Sequence, residues 1–354
     1  MAEKSSVIIN EEKPSLLVRI YRNFLFRKAI RAVVTIFVVT TLTFFIVRLM
    51  PGNPIDIMIA SLMQTQGLSY QQAKQMVLAM FSIDLSKPLH EQYLEYIVNV
   101  LRGDLGFSIT SPGTPVIKQI VTFLPWTLFS VSISLLTSFI IGIFLGMLMA
   151  YRRGGILDKA LTSICTVMSS IPNYIVAILF ILIIGIKLKL YPIEWMRGAY
   201  SPGVQPGFTL EFITDVFRHV LWPFITYVVT TFGSWALTMK ASTISVLGED
   251  YIRVAEAQGL RQSRIIASYV GKNAILPLFT SLVISFGFIF GGSLLIESMF
   301  VYRGIGFLLS SAIFERDYPV IQGAFLIMTI AVVVSVTLAD LLYALIDPRV
   351  RMGG

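Results

Sequence analysis

Few side chains in this sequence could do covalent, redox or metal chemistry, and their spacing works against all three. Asp84, His90 and Glu91 lie close together and could exchange protons, but no nucleophile stands paired with them in the geometry a catalytic site requires. Cys165 is the only cysteine, and it sits in an apolar run, so an internal disulfide and a thiolate metal cluster are both excluded. The two histidines, His90 and His219, are far apart and offer no local metal-ligand spacing. Gly271-Lys272 is the only Gly-Lys pair, and it lacks the upstream glycine and following hydroxyl of a phosphate-binding loop. Gly304-Ile305-Gly306 follows no Rossmann-like strand and lacks the remaining glycines of that fingerprint. The expectation is a chain with no catalytic residue, no metal site and no cofactor of its own.

Its most distinctive stretch is instead a polar island between two long apolar runs, Glu249 to Pro277. Ala255 and Ala257 flank Glu256 in a short predicted helix. Gly259 stands where that helix must stop, in the left-handed conformation that glycine adopts without steric cost. A second amphipathic helix follows, with Ile265, Ile266 and Tyr269 at helical spacing and Arg261, Arg264 and Lys272 as its polar points. Pro277 lies just inside the next apolar run. Two short helices joined at a glycine make a compact knob, and small alanines admit a partner surface. Read by pattern alone, the same stretch also fits a solvated loop between two membrane helices.

Composition states where the knob must sit. Only 14% of residues are charged, mean hydropathy is +0.78, and a soluble domain carries about a quarter charged residues. A chain this apolar is embedded in membrane lipid. Its net charge of +8 comes with no basic stripe interleaved with aromatics, so nucleic acid is not an expected partner. The apolar run at 32–50 is long enough to span, since a crossing takes about 20 residues. It follows a long charged lead and has no small-x-small cleavage site, so it reads as a retained helix rather than a signal peptide. Further spans are expected at 123–151, 160–186, 219–240, 273–296 and 320–345. Basic residues before the first span, Arg152, Arg153 and Lys159 after the second, and the arginines of the knob all fall on one side by alternation, which makes that side cytoplasmic. Both termini are then cytoplasmic.

Within this frame, Ser170-Ile171-Pro172 breaks the third span, and a proline there frees a backbone carbonyl that packing or a cavity must accommodate. Ser281, Ser285 and the nearby glycines give the fifth span a small, partly polar face, with Phe288 beside it. Pro172, Ser281, Ser285 and Phe288 are therefore candidates for lining a pathway. Gly142 and Gly146 mark a close helix–helix approach. Glu297, at the outer end of the fifth span, could pair with Arg48 or Arg303, and Asp340 could bond backbone or a basic neighbour. His219, at the expected start of the fourth span, reads as a structural residue bonded to backbone. The aromatic outer stretch at 187–218 fits interfacial anchoring, or else contact with a substrate-delivery protein.

The island resembles the "EAA" loop of ABC importer permeases, in the variant of the oligopeptide/dipeptide/nickel family. The matching residues are Asp250, Tyr251, Ile252, Arg253, Ala255, Ala257, Gly259, Leu260, Asn273, Ala274 and Pro277. Other signatures of that family recur: Arg48-Leu49-Met50-Pro51-Gly52-Asn53-Pro54; Leu101, Gly103, Asp104, Leu105, Gly106 and Ser108; Glu297, Phe300, Gly304, Ile305 and Gly306; Arg316-Asp317-Tyr318-Pro319; and the terminal Asp347-Pro348-Arg349. The resemblance implies a first, "B-type" permease chain of a binding-protein-dependent importer in the cytoplasmic (inner) membrane. It implies a second homologous permease chain, two ATPase subunits carrying ATP and Mg, and an extracytoplasmic substrate-binding protein. It implies that Asp250, Tyr251, Arg253, Ala255, Glu256, Ala257, Gly259, Leu260, Asn273 and Pro277 form the loop that couples to an ATPase subunit. Oligopeptides or dipeptides are the implied cargo. Oligosaccharides are the alternative, and the scarcity of histidines and the aromatic outer loop tell against nickel. From another class, the rival is an ATPase-independent transporter or membrane enzyme, which would need ionisable groups in mid-membrane that the sequence does not supply.

The expected architecture is an all-α integral membrane protein of six transmembrane helices. Its parts are a cytoplasmic segment at 1–29, a first helix at 30–50, an extracytoplasmic helical insertion at 51–122, a permease core at 123–346 with the coupling loop at 246–273, and a cytoplasmic tail at 347–354.

Overall fold

The computed structural model describes residues 24–50, 54–80, 87–289 and 293–346. The lead before residue 24, Pro51 to Asn53, Asp84, Gly291, Gly292, the side chain of Asp340 and the terminal Asp-Pro-Arg lie outside the described residues. Those described are helices and connections, joined by a single isolated β-bridge between Phe107 and Pro115. In chain order we name α1 Phe24–Arg48, α2 Pro54–Gln66, α3 Tyr70–Met80, α4 Leu89–Leu101, α5 Val116–Tyr151, α6 Ile156–Ser170, α7 Asn173–Phe180, α8 Leu210–Leu247, α9 Asp250–Ala257, α10 Gln262–Ala274, α11 Leu276–Ile289, α12 Leu294–Met299, α13 Ile305–Glu315 and α14 Tyr318–Ile346. Two of these contain π-helical turns: Ile181–Lys187 continues α7, and Ile265–Gly271 lies inside α10.

Among the described residues, four helices (α1, α5, α8 and α14) are long and apolar enough to cross a membrane, and the count rises to six if α6 with α7 and α10 with α11 are each one bent span. The break after α6 comes at Ile171-Pro172 and turns the chain by 91°. A proline cannot donate to the turn before it and drives its predecessor towards extended backbone, which Ile171 adopts at φ −80°, ψ 124°. The second break, of 47°, comes at Ile275. There Pro277 occupies the first turn of α11, where a missing N–H costs nothing. The fourth span begins earlier than hydropathy indicates, at Leu210 rather than His219. Thr209 caps it by accepting from the Phe212 N–H at 3.2 Å.

The central pair is α5 against α8. Ring contacts join Trp126 to Phe212, Phe129 to Phe217 and Phe139 to Trp235, so the two helices run parallel. Gly142 and Gly146 set their spacing. A Cβ on Gly142 would lie 3.0 Å from the Ala236 backbone N, and one on Gly146 would strike the Ala236 carbonyl and Met239. On the other side, α14 packs against both α1 and α11. In the insertion, α2 pairs with α3 around buried Ile59, Ala73 and Val77, while α4 lies along α1 through Tyr93 and Tyr96 against Phe44.

Candidate functional site: a helical knob and the contacts that position it

The knob is built as two short helices around its own small core. Ile252, Ala255, Ile265 and Val270 are buried together, with Leu260 and Tyr269 against them. Ile252 and Ala255 stand three residues apart and so share the inward face of α9. Asp250, Tyr251, Arg253, Val254, Glu256 and Ala257 remain exposed. Of the two alanines, only Ala257 presents itself to the outside; Ala255 is 2% exposed and belongs to the core. Gly259 takes φ +70°, its N–H bonding the Glu256 carbonyl at 2.9 Å while Leu260 N–H reaches back to Ala255. No atom lies within 4 Å of where its Cβ would stand, so the requirement for glycine is conformational rather than steric.

Asn273 closes the knob from the far end. Its Nδ2 donates to the Tyr251 phenol oxygen at 3.0 Å and to the Tyr269 carbonyl at 2.7 Å. The Ser242 hydroxyl donates to the Ala274 carbonyl at 2.7 Å and so ties α8 to α10. Arg253 and Asp250 pair at 3.7 Å on the open surface, an arrangement of little energetic weight. Of the residues expected in the loop, Tyr251 and Asn273 meet directly, and Ala255 and Leu260 pack from within. Pro277 sits exposed at the start of α11, outside the knob's core.

A further pair, which sequence reasoning missed, bridges α6 and α8. Lys240 on α8 reaches Asp158 on α6 at 2.6 Å and the Thr162 hydroxyl at 2.9 Å. Asp158 also accepts the Gly154 N–H at 2.9 Å. The two residues are 82 positions apart (240 minus 158), so no local pattern pairs them. The available signal was an acid and a lysine, each at the end of an apolar run.

The candidate pathway residues share no buried centre. Pro172, Ser281 and Phe288 are exposed, Ser285 is half-buried, and the serine hydroxyls bond back to the carbonyls of Pro277 and Ser281. Pro172 stands at the start of α7 and the other three on α11; Pro172, Ser281 and Phe288 are left exposed among the described residues.

On the opposite side the motif residues resolve into two polar joints. Glu297 pairs with neither Arg48 nor Arg303 among the described contacts. It accepts from the Thr127 hydroxyl at 2.8 Å, the Gly306 N–H at 2.7 Å and the Phe307 N–H at 3.2 Å, and so caps α13. A carboxylate over free N–H groups at a helix start is favourable, which explains why the acid is tolerated there. A Cβ on Gly304 would collide with both Glu297 and Thr127. Burial nonetheless pushes the Glu297 carboxyl up to about 7. Asp317 makes the second joint, accepting from the Ser108 hydroxyl at 2.5 Å and from the Thr110 N–H at 3.1 Å and its hydroxyl at 2.9 Å. This fastens the end of the insertion to the start of α14. His219 lies within α8 and not at its start; its Nδ1 is 2.8 Å from the Asp215 carbonyl oxygen, a structural role.

The described helices make a multi-pass membrane chain with one polar knob between two of its candidate spans. Its residues 142–352 match the family "Binding-protein-dependent transport system inner membrane component", and residues 21–129 match the N-terminal region of such membrane components. The chain belongs to this family, as a permease subunit of an ABC transport system. It is 30% identical to the oligopeptide transport system permease protein AppB of Bacillus subtilis, over 93% of this chain and 99% of that one. It is 31% identical to the dipeptide transport system permease protein DppB of Escherichia coli K12, over 93% and 98%. The di/tripeptide permease protein DppB of Pseudomonas aeruginosa is 29% identical over the same shares.

Proposed function

We propose that this chain forms half of the translocation pathway of an importer for oligopeptides or dipeptides, and that the knob at 246–273 transmits the work of separate ATPase subunits to it. The observation that carries this reading is the knob's construction. It is a rigid unit with its own core, fixed to α8 through Ser242 and to α11 through α10, with an uncovered face at Asp250, Arg253, Val254 and Ala257. A force applied to that face is delivered to two spans at once. Closure of two ATPase subunits would shift the knobs of two permease chains, and the attached helices would rock between inward-open and outward-open packings. ATP and Mg reside on those subunits. The pathway needs a second, homologous permease chain, whose surface would cover the exposed Pro172 before α7 and the exposed Ser281 and Phe288 of α11. Substrate arrives from an extracytoplasmic binding protein over the insertion.

Peptides are favoured as cargo by the similarity to permeases named for oligopeptide and dipeptide transport, which extends over nearly the whole length of both chains. The test is ATP hydrolysis by the reconstituted complex with its binding protein, offered peptides and oligosaccharides separately. Stimulation by peptides alone is expected. Stimulation by oligosaccharides alone would replace the cargo and leave the coupling reading standing.

A further inference from the structure

A cavity of about 230 Å³ lies where the end of α1, helix α4, the turn after it and the start of α14 meet. Its polar lining includes several buried donors, together with the Gln92 carboxamide, whose Nε2 donates to the Lys87 carbonyl at 2.7 Å. Arg48 stands at its wall with Nε and Nη1 buried and without a hydrogen-bond partner among the described residues. The guanidinium instead lies over two rings, 5.3 Å from the Phe44 centroid and 5.2 Å from that of Tyr318. Gln322 is 4% exposed, and its Nε2 has no partner among the described residues. The Tyr96 hydroxyl is in the same condition. Burial, with Tyr93 nearby, pushes the Tyr96 phenol up to about 12, so it keeps its proton and its capacity to donate.

The two acids of the lining are already engaged. Glu95 is held by Lys87 at 2.5 Å, and Asp104 accepts the Gly106 N–H at 2.8 Å. They flank the donors without neutralising Arg48. Leaving a buried donor unmade is costly, and a buried guanidinium without an acceptor more so. A guanidinium, a carboxamide N–H and a phenol O–H around one cavity favour a ligand group that accepts hydrogen bonds and carries negative charge.

We propose that this cavity is an anion site, which takes a carboxylate or phosphate oxygen group with Arg48 as charge partner and Gln322 and Tyr96 as further donors. The group has two sources, a free solute or the headgroup of an anionic lipid at the end of α1, and the chemistry of recognition is the same for both. The site is independent of the cargo and of the knob.

The test uses the full chain, purified in neutral detergent and stripped of lipid. Its thermal unfolding is followed during titration with acetate, with inorganic phosphate and with phosphatidylglycerol. A saturable rise in Tm is expected with at least one probe. In Arg48→Gln the half-saturating concentration rises by at least about tenfold, the loss of one charge-assisted contact. In Gln322→Leu and Tyr96→Phe it rises by a smaller factor. The Gln322→Leu protein without anion is at least as stable as the wild type, because a buried orphan is gone. A response to acetate or phosphate identifies a solute site, and a response to phosphatidylglycerol alone identifies a headgroup site. If Arg48→Gln does not fold, the other two variants decide. No saturable shift with any probe, or shifts that are equal in wild type and variants, overturns the proposal and leaves an ordinary hydrated cavity.

Discussion

Asn273 donates to the phenol oxygen of Tyr251 at 3.0 Å, joining the last turn of the knob's second helix to the first turn of its first. The two residues are separated by the glycine turn, so the bond closes the knob into a loop whose ends cannot splay. Being exposed, it contributes modestly, about 0.5–1 kcal/mol by the usual range for neutral pairs. Tyr251→Phe and Asn273→Ala should each weaken ATPase-subunit binding severalfold. The double variant should be no worse than the worse single one, since both remove one contact. Additive losses in a binding titration would show that the pair does not act together.

Gly259 supplies the sharp turn, and its surroundings are empty, so substitutions there report backbone cost alone. Gly259→Asn should be tolerated, Gly259→Ala should cost about 1 kcal/mol, and Gly259→Val more, because a β-branched residue avoids φ +70°. The order Asn, Ala, Val should appear in ATPase-subunit association while membrane insertion is unchanged. An equal loss for all three would point to a packing role that the open space does not allow.

Lys240 and Asp158 form a shielded pair bridging α6 and α8. Removing one partner strands the other. Lys240→Met and Asp158→Asn should each lower Tm in detergent, and the double variant should lower it less than either single. A double variant as damaged as the sum of the two would argue that each residue works through other partners, such as Thr162.

Glu297 caps α13 from a buried position in the connection between the fifth and sixth spans. Its folded pKa, about 7, is raised above the ordinary 4.5, so the folded chain holds a proton that the unfolded chain has released. Stability from this group is therefore greatest below 4.5 and declines as pH rises towards 7. Glu297→Gln should flatten that slope, and Glu297→Ala should destabilise at every pH by leaving the Gly306 and Phe307 N–H groups without their acceptor. A wild-type and Gln profile of equal slope between pH 4.5 and 7 would assign the titration elsewhere.

Much of this architecture was legible in the sequence because the membrane enforces it. Long apolar runs can only be helices where no water satisfies the backbone, and Pro172 and Gly259 punctuate the chain for local reasons readable residue by residue. Other features were not legible. The fourth span starts at Leu210 because Thr209 caps it, although Glu211, Asp215 and Arg218 lower its hydropathy. The motif acids Glu297 and Asp317 could be recognised as signatures, but their partners, Thr127 and Ser108, are 170 and 209 positions away. Their pairing is a property of the packed fold. Ala255 and Ala257 read alike in sequence, yet the phase of one short helix buries the first and exposes the second.

The central claim is that the knob carries the work of ATP hydrolysis into the membrane helices, and Ala257 gives the most direct access to it. The measurement is peptide-stimulated ATP hydrolysis in proteoliposomes holding the permease pair, the ATPase subunits and the peptide-loaded binding protein, compared between wild type and Ala257→Trp. A bulky ring on the exposed side of α9 should abolish stimulation and ATPase-subunit association while the permease remains folded in the membrane. Unchanged stimulation and unchanged association would contradict the account and place the coupling surface elsewhere on the chain.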